Sequence, residues 1–367
     1  MSLYIYQHEN WTDFSWDDKE ISPLLGKVRN LQGRIVGKMA SIGFELKNEA
    51  TLNNLTIDVV KSSEIEGELL NPEQVRSSIA RKLGFDISGL IPSDRNVDGV
   101  VEMTVDATMN HASPLTKQRL FDWHKSLFPE SKSGSYNIIS GQWRVDSSGP
   151  MQVVSGPYGK ERVHFQAPDS AVIDVEMEKF INWFNNANNT DLVIKAGIAH
   201  LWFVTIHPFE DGNGRIARAL TDMLLTSADG ITQRYYSMSS QIRKQRKQYY
   251  DILETTQKSN SEITDWLNWF LNCLMESLIE AEETIDLVVK KHNYISKFAF
   301  ESLNERQRLL IKKLLDGFEG NLTSSKWAKI AKCSADTALR DIKDLITKNI
   351  LRKSLKSGRA TSYELID

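Results

Sequence analysis

The fold of this 367-residue chain is decided by the segment His207-Pro208-Phe209-Glu210-Asp211-Gly212-Asn213-Gly214-Arg215-Ile216-Ala217-Arg218. Residues 196–206, just before it, form an apolar run that predicts a helix. Because proline disfavours α-helical geometry in the residue that precedes it, this helix is predicted to end near His207. A loop with two glycines follows, and Arg215 is predicted to start the next helix.

A glycine-containing turn that leads into a helix N-terminus is a typical anion site, since unpaired backbone N–H groups converge there. Gly212 and Gly214 let the backbone approach phosphate oxygens closely. Arg215 and Arg218 are three residues apart, so both side chains reach the same face and can clamp a polyphosphate. The sequence therefore predicts a polyphosphate site at this loop.

Two other side chains of the segment can supply chemistry. Asp211 is a hard oxygen ligand, placed to hold Mg²⁺ against the phosphates. His207, with an ordinary pKa of about 6.5, can accept a proton from an attacking hydroxyl. A base, a metal ligand, an anion site and a cationic clamp thus fall within one short segment. This combination predicts nucleotidyl transfer.

The segment matches every specified position of H-P-F-x-[D/E]-G-N-G-R-x-x-R, the defining pattern of the Fic (filamentation induced by cAMP) family, which the chain therefore resembles. The resemblance implies a mainly α fold, with a Fic-type helical core and a β-hairpin flap. It also implies a protein adenylyltransferase, an enzyme that transfers AMP from ATP to a Ser, Thr or Tyr hydroxyl of a target protein or of itself.

The resemblance gives the matching residues individual roles. His207 is implied to be the general base, and Asp211 to coordinate Mg²⁺ between the α- and β-phosphates. Arg215 is implied to hold the leaving pyrophosphate and Arg218 the γ-phosphate. Phe209 is implied to anchor the loop in the core.

The same resemblance makes Gly212, Asn213 and Gly214 the anion hole, with Asn213 on the α-phosphate. A phosphorylating variant of the fold is disfavoured, because Gly214 leaves the hole open where that branch carries a bulky basic residue. The acceptor is therefore expected to receive AMP.

A second motif, Ser62-Ser63-Glu64-Ile65-Glu66-Gly67, fits the inhibitory pattern [S/T]-x-x-x-E-[G/N] of the family at Ser62, Glu66 and Gly67. Because it precedes the first motif, the resemblance implies the subclass with an N-terminal inhibitory helix, here at about residues 51–67. A carboxylate paired with Arg218 occupies the place of the γ-phosphate, so ATP binds only in a non-productive pose. We therefore expect autoinhibition by Glu66.

Two further segments complete the expected site. Residues 151–165 read as a β-hairpin within a glycine- and proline-containing region, 141–168, and match the family's flap in position. An exposed flap edge can align a target segment by adding a strand to it. Tyr250 and Gln257 lie on a stretch that resembles the helix lining the family's adenine pocket, and they are the residues expected to contact adenine or ribose.

Apolar spacing predicts helices over 21–48 and 51–63, a third helix opened by Asn71 and Pro72, and a long helical pattern over 97–128. Further helices are predicted over 169–187, 191–206, 239–257 and 261–292. We divide the chain into an N-terminal arm and helical region (1–95), a catalytic core (96–290) and a C-terminal module (303–367).

The C-terminal module is predicted to be a winged helix-turn-helix domain, with three helices followed by a hairpin. Residues 335–348 are the expected recognition helix and residues 356–359 the wing tip. From residue 301 onward the chain holds fourteen Lys and Arg against nine Asp and Glu, so a basic module follows an acidic body. Both DNA and a protein partner stay open for it, because such modules serve either.

The composition of the chain limits which other classes of protein it can belong to. A hydrophobic content of 41% and a net charge of −3 fit a soluble globular protein and give no whole-chain case for nucleic-acid or membrane binding. Cys273 and Cys333 lack metal-ligand spacing, which argues against a disulfide framework or a zinc site and favours the cytoplasm. No membrane partner is expected, because no apolar run approaches the roughly 18 residues of a bilayer span. The resemblance also suggests a homodimer.

Two other functions stay open. Glu66 can be read as positioning a water for the reverse reaction, removal of AMP from a modified protein. The nucleotide site can also be read as a sensor in a DNA-binding regulator. His124, His164 and His200 lack partner spacing in the sequence and are predicted to be structural.

Overall fold

A computed structural model describes residues 3–40, 44–85, 89–133, 136–147, 149–157, 159–186, 189–297, 303–315, 318, 320–354 and 361–366. Within these residues the chain is mainly helical. It forms two compact units, Met1–Glu283 and Thr284–Asp367. The predicted arm and core, residues 1–95 and most of 96–290, therefore pack together in the first unit.

The first unit begins with five helices: α1 Asp18–Ala40, α2 Phe44–Ile65, α3 Pro72–Leu83, α4 Arg95–Met109 and α5 Lys117–Leu127. The predicted start of α3 is confirmed, since the Asn71 side chain accepts hydrogen bonds from the backbone N–H groups of the first turn.

Two predicted helix boundaries in this part were wrong. Residues 44–48 belong to α2, whereas the apolar spacing assigned them to the first helix. The pattern over 97–128 consists of two helices, because Pro114 lies in the connection and the Thr116 side chain caps α5. Apolar spacing alone does not register such breaks.

Six helices follow: α6 Ile173–Asn185, α7 Leu192–Ile206, α8 Asn213–Asp229, α9 Met238–Lys244, α10 Arg246–Gln257 and α11 Thr264–Lys297. The residues of α11 after Glu283 belong to the second unit. Helix α7 is buried along almost its whole length and packs against α8. The pattern over 239–257 is divided at Gln245 into α9 and α10. No described helix is long and apolar enough to cross a membrane.

Four short strands complete this unit: β1 Lys132–Ser133, β2 Tyr136–Asn137, β3 Gln152–Ser155 and β4 Arg162–Gln166. Strands β3 and β4 form the antiparallel hairpin that the sequence predicts, called the flap below. Val153 pairs with Phe165 and Val154 with Val163, so His164 is an extra residue on β4 and forms a β-bulge.

The N-terminal arm supports the flap. Tyr4 and Tyr6 pack edge-on against Phe165 of β4, with ring centroids 5.1 and 6.0 Å from it. The Tyr6 hydroxyl donates a hydrogen bond to the Ala167 carbonyl at 3.4 Å. These aromatic residues of the arm are thus packed against the flap.

The second unit contains α12 Glu305–Leu315, α13 Ser324–Ile330, α14 Ala335–Thr347, β5 Leu351–Lys353 and β6 Tyr363–Leu365. Leu310, Trp327 and Ile342 of the three helices are buried in one core. Strands β5 and β6 pair antiparallel after the helices. The predicted wing tip, 356–359, lies outside the described residues.

Candidate functional site

The predicted motif forms one tight loop between α7 and α8. His207 ends α7 in the left-handed conformation, with φ of 52°, and Gly212 precedes α8 with φ of 80°. Helix α8 begins at Asn213, two residues before the predicted start at Arg215, because the left-handed Gly212 turns the chain earlier. The first N–H groups of α8 therefore come from Asn213 and Gly214.

Asn213 closes the loop. Its side-chain oxygen accepts a hydrogen bond from Phe209 N at 3.0 Å, and its amide donates to Phe209 O at 2.8 Å. Phe209 is completely buried. The hydrogen bonds of the Asn213 side chain are thus made within the loop. Its backbone N–H lies in the first turn of α8 and has no acceptor within the helix, so this N–H is the group of Asn213 that can bind an anion.

His124 braces the loop from α5. Its Nδ1 accepts a hydrogen bond from Gly141 N at 2.9 Å, so its Nε2 carries the proton that is donated to Asp211 O at 3.2 Å. Its ring stacks on Phe209 at 4.1 Å. Burial lowers the pKa of His124 to about 4, which keeps this tautomer neutral. The structural role predicted for His124 is thus a role in positioning the loop.

Arg144 is a buried positioning residue that the sequence analysis missed. Its guanidinium donates to His207 O at 2.8 Å and to Pro168 O at 2.5 Å, and it forms an ion pair with Asp146. Its backbone N–H donates to Pro208 O at 2.9 Å. These contacts fix the backbone on which the His207 side chain is mounted.

The His207 ring is oriented for proton acceptance. Its Nδ1 lies 3.3 Å from Val204 O, and because a carbonyl only accepts, Nδ1 carries the proton and Nε2 the lone pair. Burial, helped by Arg144, lowers the pKa of His207 to about 4, against the upward effects of the Val204 carbonyl, Asp211 and Glu66. The imidazole is therefore neutral near pH 7.

We expect the His207 ring resonances to titrate below pH 5, well under the ordinary value of about 6.5, because desolvation disfavours the imidazolium. Titration of the wild-type chain by proton–nitrogen NMR measures this, and the signals that disappear in His207→Ala identify the ring. A midpoint at 6 or above contradicts the buried, neutral imidazole.

Arg218 is held by the end of α2. Its side chain is buried, and its Nη2 lies 2.8 Å from Glu66 Oε1. Its Nε donates to Ser62 Oγ at 2.8 Å, and its Nη2 also donates to Ser62 O at 2.9 Å. Its Nη1 is buried and has no hydrogen-bond partner among the described residues. The two motifs recognised in the sequence thus meet at this guanidinium.

The Glu66 carboxylate lies directly on the first turn of α8. A Cβ added to Gly214 would lie 2.2 Å from Glu66 Oε1, so only glycine permits this approach. The Tyr250 hydroxyl lies 3.4 Å from Glu66 Oε2. The chain turns away from α2 at Gly67, whose φ is 87°. Glu66 therefore occupies the positive end of α8, where an anion is favoured.

Arg215 has its own acidic partner, Glu68, which the sequence analysis missed. Arg215 Nη1 lies 2.7 Å from Glu68 Oε2, and the guanidinium lies 5.0 Å from the centre of the Phe128 ring. The side chain is almost completely buried, and its Nε has no hydrogen-bond partner in the described part of the chain. The sequence signal for this pair is a second acid immediately after Gly67.

Asp211 is accessible to the cavity beside the loop, with its side chain 43% exposed. Its Oδ1 accepts a hydrogen bond from Gly212 N at 2.6 Å. The described residues contain no group of three or more His, Cys, Asp or Glu that could hold a metal ion. One accessible carboxylate next to the predicted phosphate site fits Mg²⁺, which takes one or two carboxylates together with phosphate oxygens and waters.

A cavity of about 520 Å³ is lined by His207, Asp211, the first residues of α8 and Glu66. Residues of the flap, with all of strand β3, and residues of helix α10 also line it. Tyr250 and Gln257, the residues predicted to contact adenine or ribose, both line it. Gln257 is buried and donates to Thr205 Oγ1 at 3.3 Å. The volume lies within the range of small-molecule and cofactor sites.

Residues 114–225 match the family described as "Fic/DOC family", and residues 4–85 match one described as "Domain of unknown function (DUF4172)". The chain is 29% identical over 231 residues to "Protein adenylyltransferase Fic" of Drosophila mojavensis and 33% identical over 229 residues to the protein of that name from Drosophila grimshawi. These alignments cover 61% of this chain and 39% and 40% of the relatives, so the chain spans about two fifths of their length.

A solved structure of a Fic family protein from Desulfovibrio desulfuricans G20 has a similar fold. It superposes with a TM-score of 0.53 at 20% sequence identity, and the match covers 95% of this chain and 96% of that one. At this identity the similarity shows a shared fold.

Proposed function

We propose that this chain, which carries a Fic/DOC family domain, is a protein adenylyltransferase that transfers AMP from ATP to a Ser, Thr or Tyr hydroxyl of a protein. The observation that carries the proposal is one cavity lined by a neutral imidazole, by the N-terminus of α8 and by Glu66, the carboxylate paired with the buried Arg218. The relatives named protein adenylyltransferase support the same chemistry.

In this mechanism His207 Nε2 accepts the proton of the target hydroxyl. The bond from the hydroxyl oxygen to the α-phosphorus forms while the bond from the α-phosphorus to pyrophosphate breaks. The first N–H groups of α8, from Asn213 and Gly214, stabilise the charge on the α-phosphate, and Arg215 and Arg218 stabilise the departing pyrophosphate. The protein contributes positioning and fixed electrostatics.

Asp211 is the residue that would hold Mg²⁺. The ion, when bound, neutralises phosphate charge. Asp211 itself is positioned by the hydrogen bond from Gly212 and by the contact of its carbonyl with His124.

The proposal includes autoinhibition. Glu66 occupies the α8 N-terminus and the Arg218 guanidinium, which the phosphates of ATP need. Glu68 holds Arg215 in the same way, so two carboxylates from the end of α2 neutralise both cations of the clamp. The wild-type chain is therefore expected to be a weak enzyme.

The labelled phosphate of ATP tests the reaction type. We expect the Glu66→Gly chain, mixed with Mg²⁺ and ATP, to retain label from the α-phosphate on protein and none from the γ-phosphate. Retention of γ-label would show phosphorylation and overturn the adenylyl proposal.

Glu68→Gln is expected to raise the initial rate of α-label transfer about two- to fivefold, because Arg215 no longer has to leave a charged partner to reach pyrophosphate. The effect should persist in the Glu66→Gly background. Glu64→Gln is the matched control, since Glu64 lies at the same helix end but pairs with Lys61 at 2.8 Å. Equal rates for Glu68→Gln and the wild type would exclude a role of Glu68 in inhibition.

The reverse reaction, removal of AMP from a modified protein, is a second candidate because the Glu66 carboxylate lines the same cavity as His207 and can hold a water there. If it dominates, the wild type releases AMP from a protein modified beforehand, and Glu66→Gly loses this release. If Glu66 only inhibits the forward reaction, Glu66→Gly loses no AMP-releasing activity.

We also propose that the second unit is a winged helix-turn-helix module that binds DNA. Of the acids on α14, Asp341 is buried and paired with Arg306 at 2.8 Å, and Asp344 accepts from Lys348 at 2.7 Å. These partners offset acidic charge that would oppose phosphate binding. A gel shift with random DNA at low and high salt tests this proposal. If no shift is seen at low salt, the module is expected to bind a protein partner instead.

A further inference from the structure

A buried chain of hydrogen bonds joins helices α8, α7 and α10 beside the candidate site. Thr221 Oγ1 of α8 lies 3.0 Å from His200 Nδ1 of α7, and His200 Nε2 lies 2.8 Å from the Tyr249 hydroxyl of α10. All three residues are at most 2% exposed. Tyr249 also lines the same cavity as His207. The sequence analysis predicts a structural role for His200 and assigns none to Tyr249.

The direction of each hydrogen bond in this chain is set from its α8 end. The Thr221 hydroxyl donates its hydrogen to Ala217 O at 2.8 Å, so its oxygen accepts from His200 Nδ1. Burial lowers the pKa of His200 to about 3, so the ring is neutral and carries a single proton. Because that proton is on Nδ1, Nε2 accepts the hydrogen of the Tyr249 hydroxyl. The Tyr249 oxygen is therefore left with lone pairs only.

The Arg218 guanidinium is the cation next to this oxygen. Burial raises the pKa of Tyr249, and the positive charge of Arg218 opposes this rise. Arg218 and Thr221 are three residues apart and so lie on the same face of α8. Arg218 Nη1 has no hydrogen-bond partner among the described residues and lies 3.2 Å from the position of a Cβ added to Gly214. A guanidinium only donates, so it is complementary to an oxygen that only accepts.

The hydrogen bonds that the Arg218 side chain makes within the described residues all go to the end of α2. Ser62 and Glu66 accept them. In the proposed enzyme this helix end gives way to ATP, and Arg218 then loses these partners. A freed arginine side chain gains rotamer freedom, and ordering it again weakens binding. Tyr249 and His200 belong to other helices, so they stay in place when α2 moves.

We propose that Tyr249, held by His200 and Thr221, positions the Arg218 guanidinium for the γ-phosphate of ATP once the end of α2 has moved away. This inference rests on the nucleotide site of the adenylyltransferase proposed above. Tyr249 acts as a positioning residue: its oxygen accepts one N–H of Arg218, and the other N–H groups are directed to the phosphate. Since ADP has no γ-phosphate, Tyr249 should strengthen the binding of ATP and not that of ADP.

Calorimetric binding of ATP and of ADP, each with Mg²⁺, tests the proposal on the full-length Glu66→Gly chain, in which His207→Ala prevents turnover of ATP. We expect Tyr249→Phe to raise the ATP dissociation constant about tenfold and that of ADP less than about twofold, because one hydrogen bond to a charged group is lost while the ring remains.

Tyr236→Phe is the matched control. Tyr236 is a buried tyrosine whose hydroxyl donates to Asp229 at 2.8 Å, and it is not among the residues that line the cavity. Both dissociation constants should change less than about twofold in this variant, because its site is independent of Arg218.

Two substitutions at Thr221 test the direction of the chain. Thr221→Val removes the acceptor of His200 Nδ1, so the ring proton can move to Nε2 and donate to the Tyr249 oxygen. The Tyr249 hydroxyl then directs its hydrogen towards Arg218, and we expect the same ATP-selective loss. Thr221→Ser keeps the accepting oxygen and should bind ATP within about twofold of the Thr221 chain.

A double-mutant cycle with Arg218→Gln identifies the group through which Tyr249 acts. In the Arg218→Gln background, Tyr249→Phe should change the ATP dissociation constant less than about twofold, because the side chain that Tyr249 positions is gone. A loss of about tenfold in that background would show that Tyr249 acts without Arg218 and would overturn the proposal.

The remaining outcomes separate this proposal from the proposed function. Equal weakening of ATP and ADP by Tyr249→Phe would show that the hydroxyl only stabilises the core, and unchanged ATP binding would show that it does not hold Arg218. Either result overturns the role of Tyr249. If the Glu66→Gly chain with His207 intact binds ATP but transfers no α-label to itself or to added protein, the adenylyltransferase function fails, and the difference between ATP and ADP still decides the role of Tyr249.

Discussion

Replacing Glu66 with glycine is expected to raise the initial rate of AMP transfer from ATP to protein at least about tenfold, which corresponds to about 1.4 kcal/mol in the activation barrier. The reason is that the Glu66 carboxylate and the phosphates of ATP compete for the same place. The carboxylate lies 2.8 Å from Arg218 Nη2 and directly on the first turn of α8. Glycine removes the carboxylate entirely, whereas glutamine would leave a hydrogen-bonding group over Gly214.

The rate of α-label incorporation at saturating ATP measures this effect. Glu64→Gly is the control for a glycine near the end of α2, since Glu64 pairs with Lys61 and lies outside the cavity lining. A Glu66→Gly rate within twofold of the wild type, with ATP shown to bind, would rule out inhibition by Glu66.

His207→Ala is expected to lower the transfer rate at least about a hundredfold in the Glu66→Gly background, the lower range for loss of a general base. The ring presents Nε2 as a neutral acceptor, with Nδ1 turned to Val204 O at 3.3 Å. Because His207 is not part of the arginine clamp, the ATP dissociation constant should change less than about threefold.

Calorimetric binding of ATP and α-label incorporation on the same preparations separate the two effects. His111→Ala is the control histidine; its Nδ1 lies 3.0 Å from Ser227 Oγ, at the far end of α8. If His207→Ala keeps more than a tenth of the rate, another group takes the proton of the acceptor.

The chemistry of the site could be read from the sequence because most of it lies in one segment. Pro208 fixed the end of α7, and the glycines placed the loop before α8. The pairing of Glu66 with Arg218 spans 152 positions, and only the similarity of both motifs to a known family connected them.

The supporting contacts could not be predicted, because they join distant segments and leave no periodic signal. His124 and Arg144 reach the motif loop from α5 and from the region before the flap. Glu68 reaches Arg215 only because the chain turns at Gly67. Likewise, the break between α1 and α2 was predicted after residue 48, too late in the chain, because apolar spacing continues to that point.

The docking of the α2 end on α8 competes with the binding of nucleotide. Ser62 and Glu66 hold Arg218, and Asp58 of the same helix accepts a hydrogen bond from Ser237 at 2.5 Å. In the proposed enzyme, productive ATP binding and docking of this helix end exclude each other, so linkage makes the coupling reciprocal. A partner that displaces α2 from α8 therefore raises the affinity for productively bound ATP. The factor of this increase equals the factor by which bound ATP favours the displaced helix. Such an activator need never touch the catalytic loop.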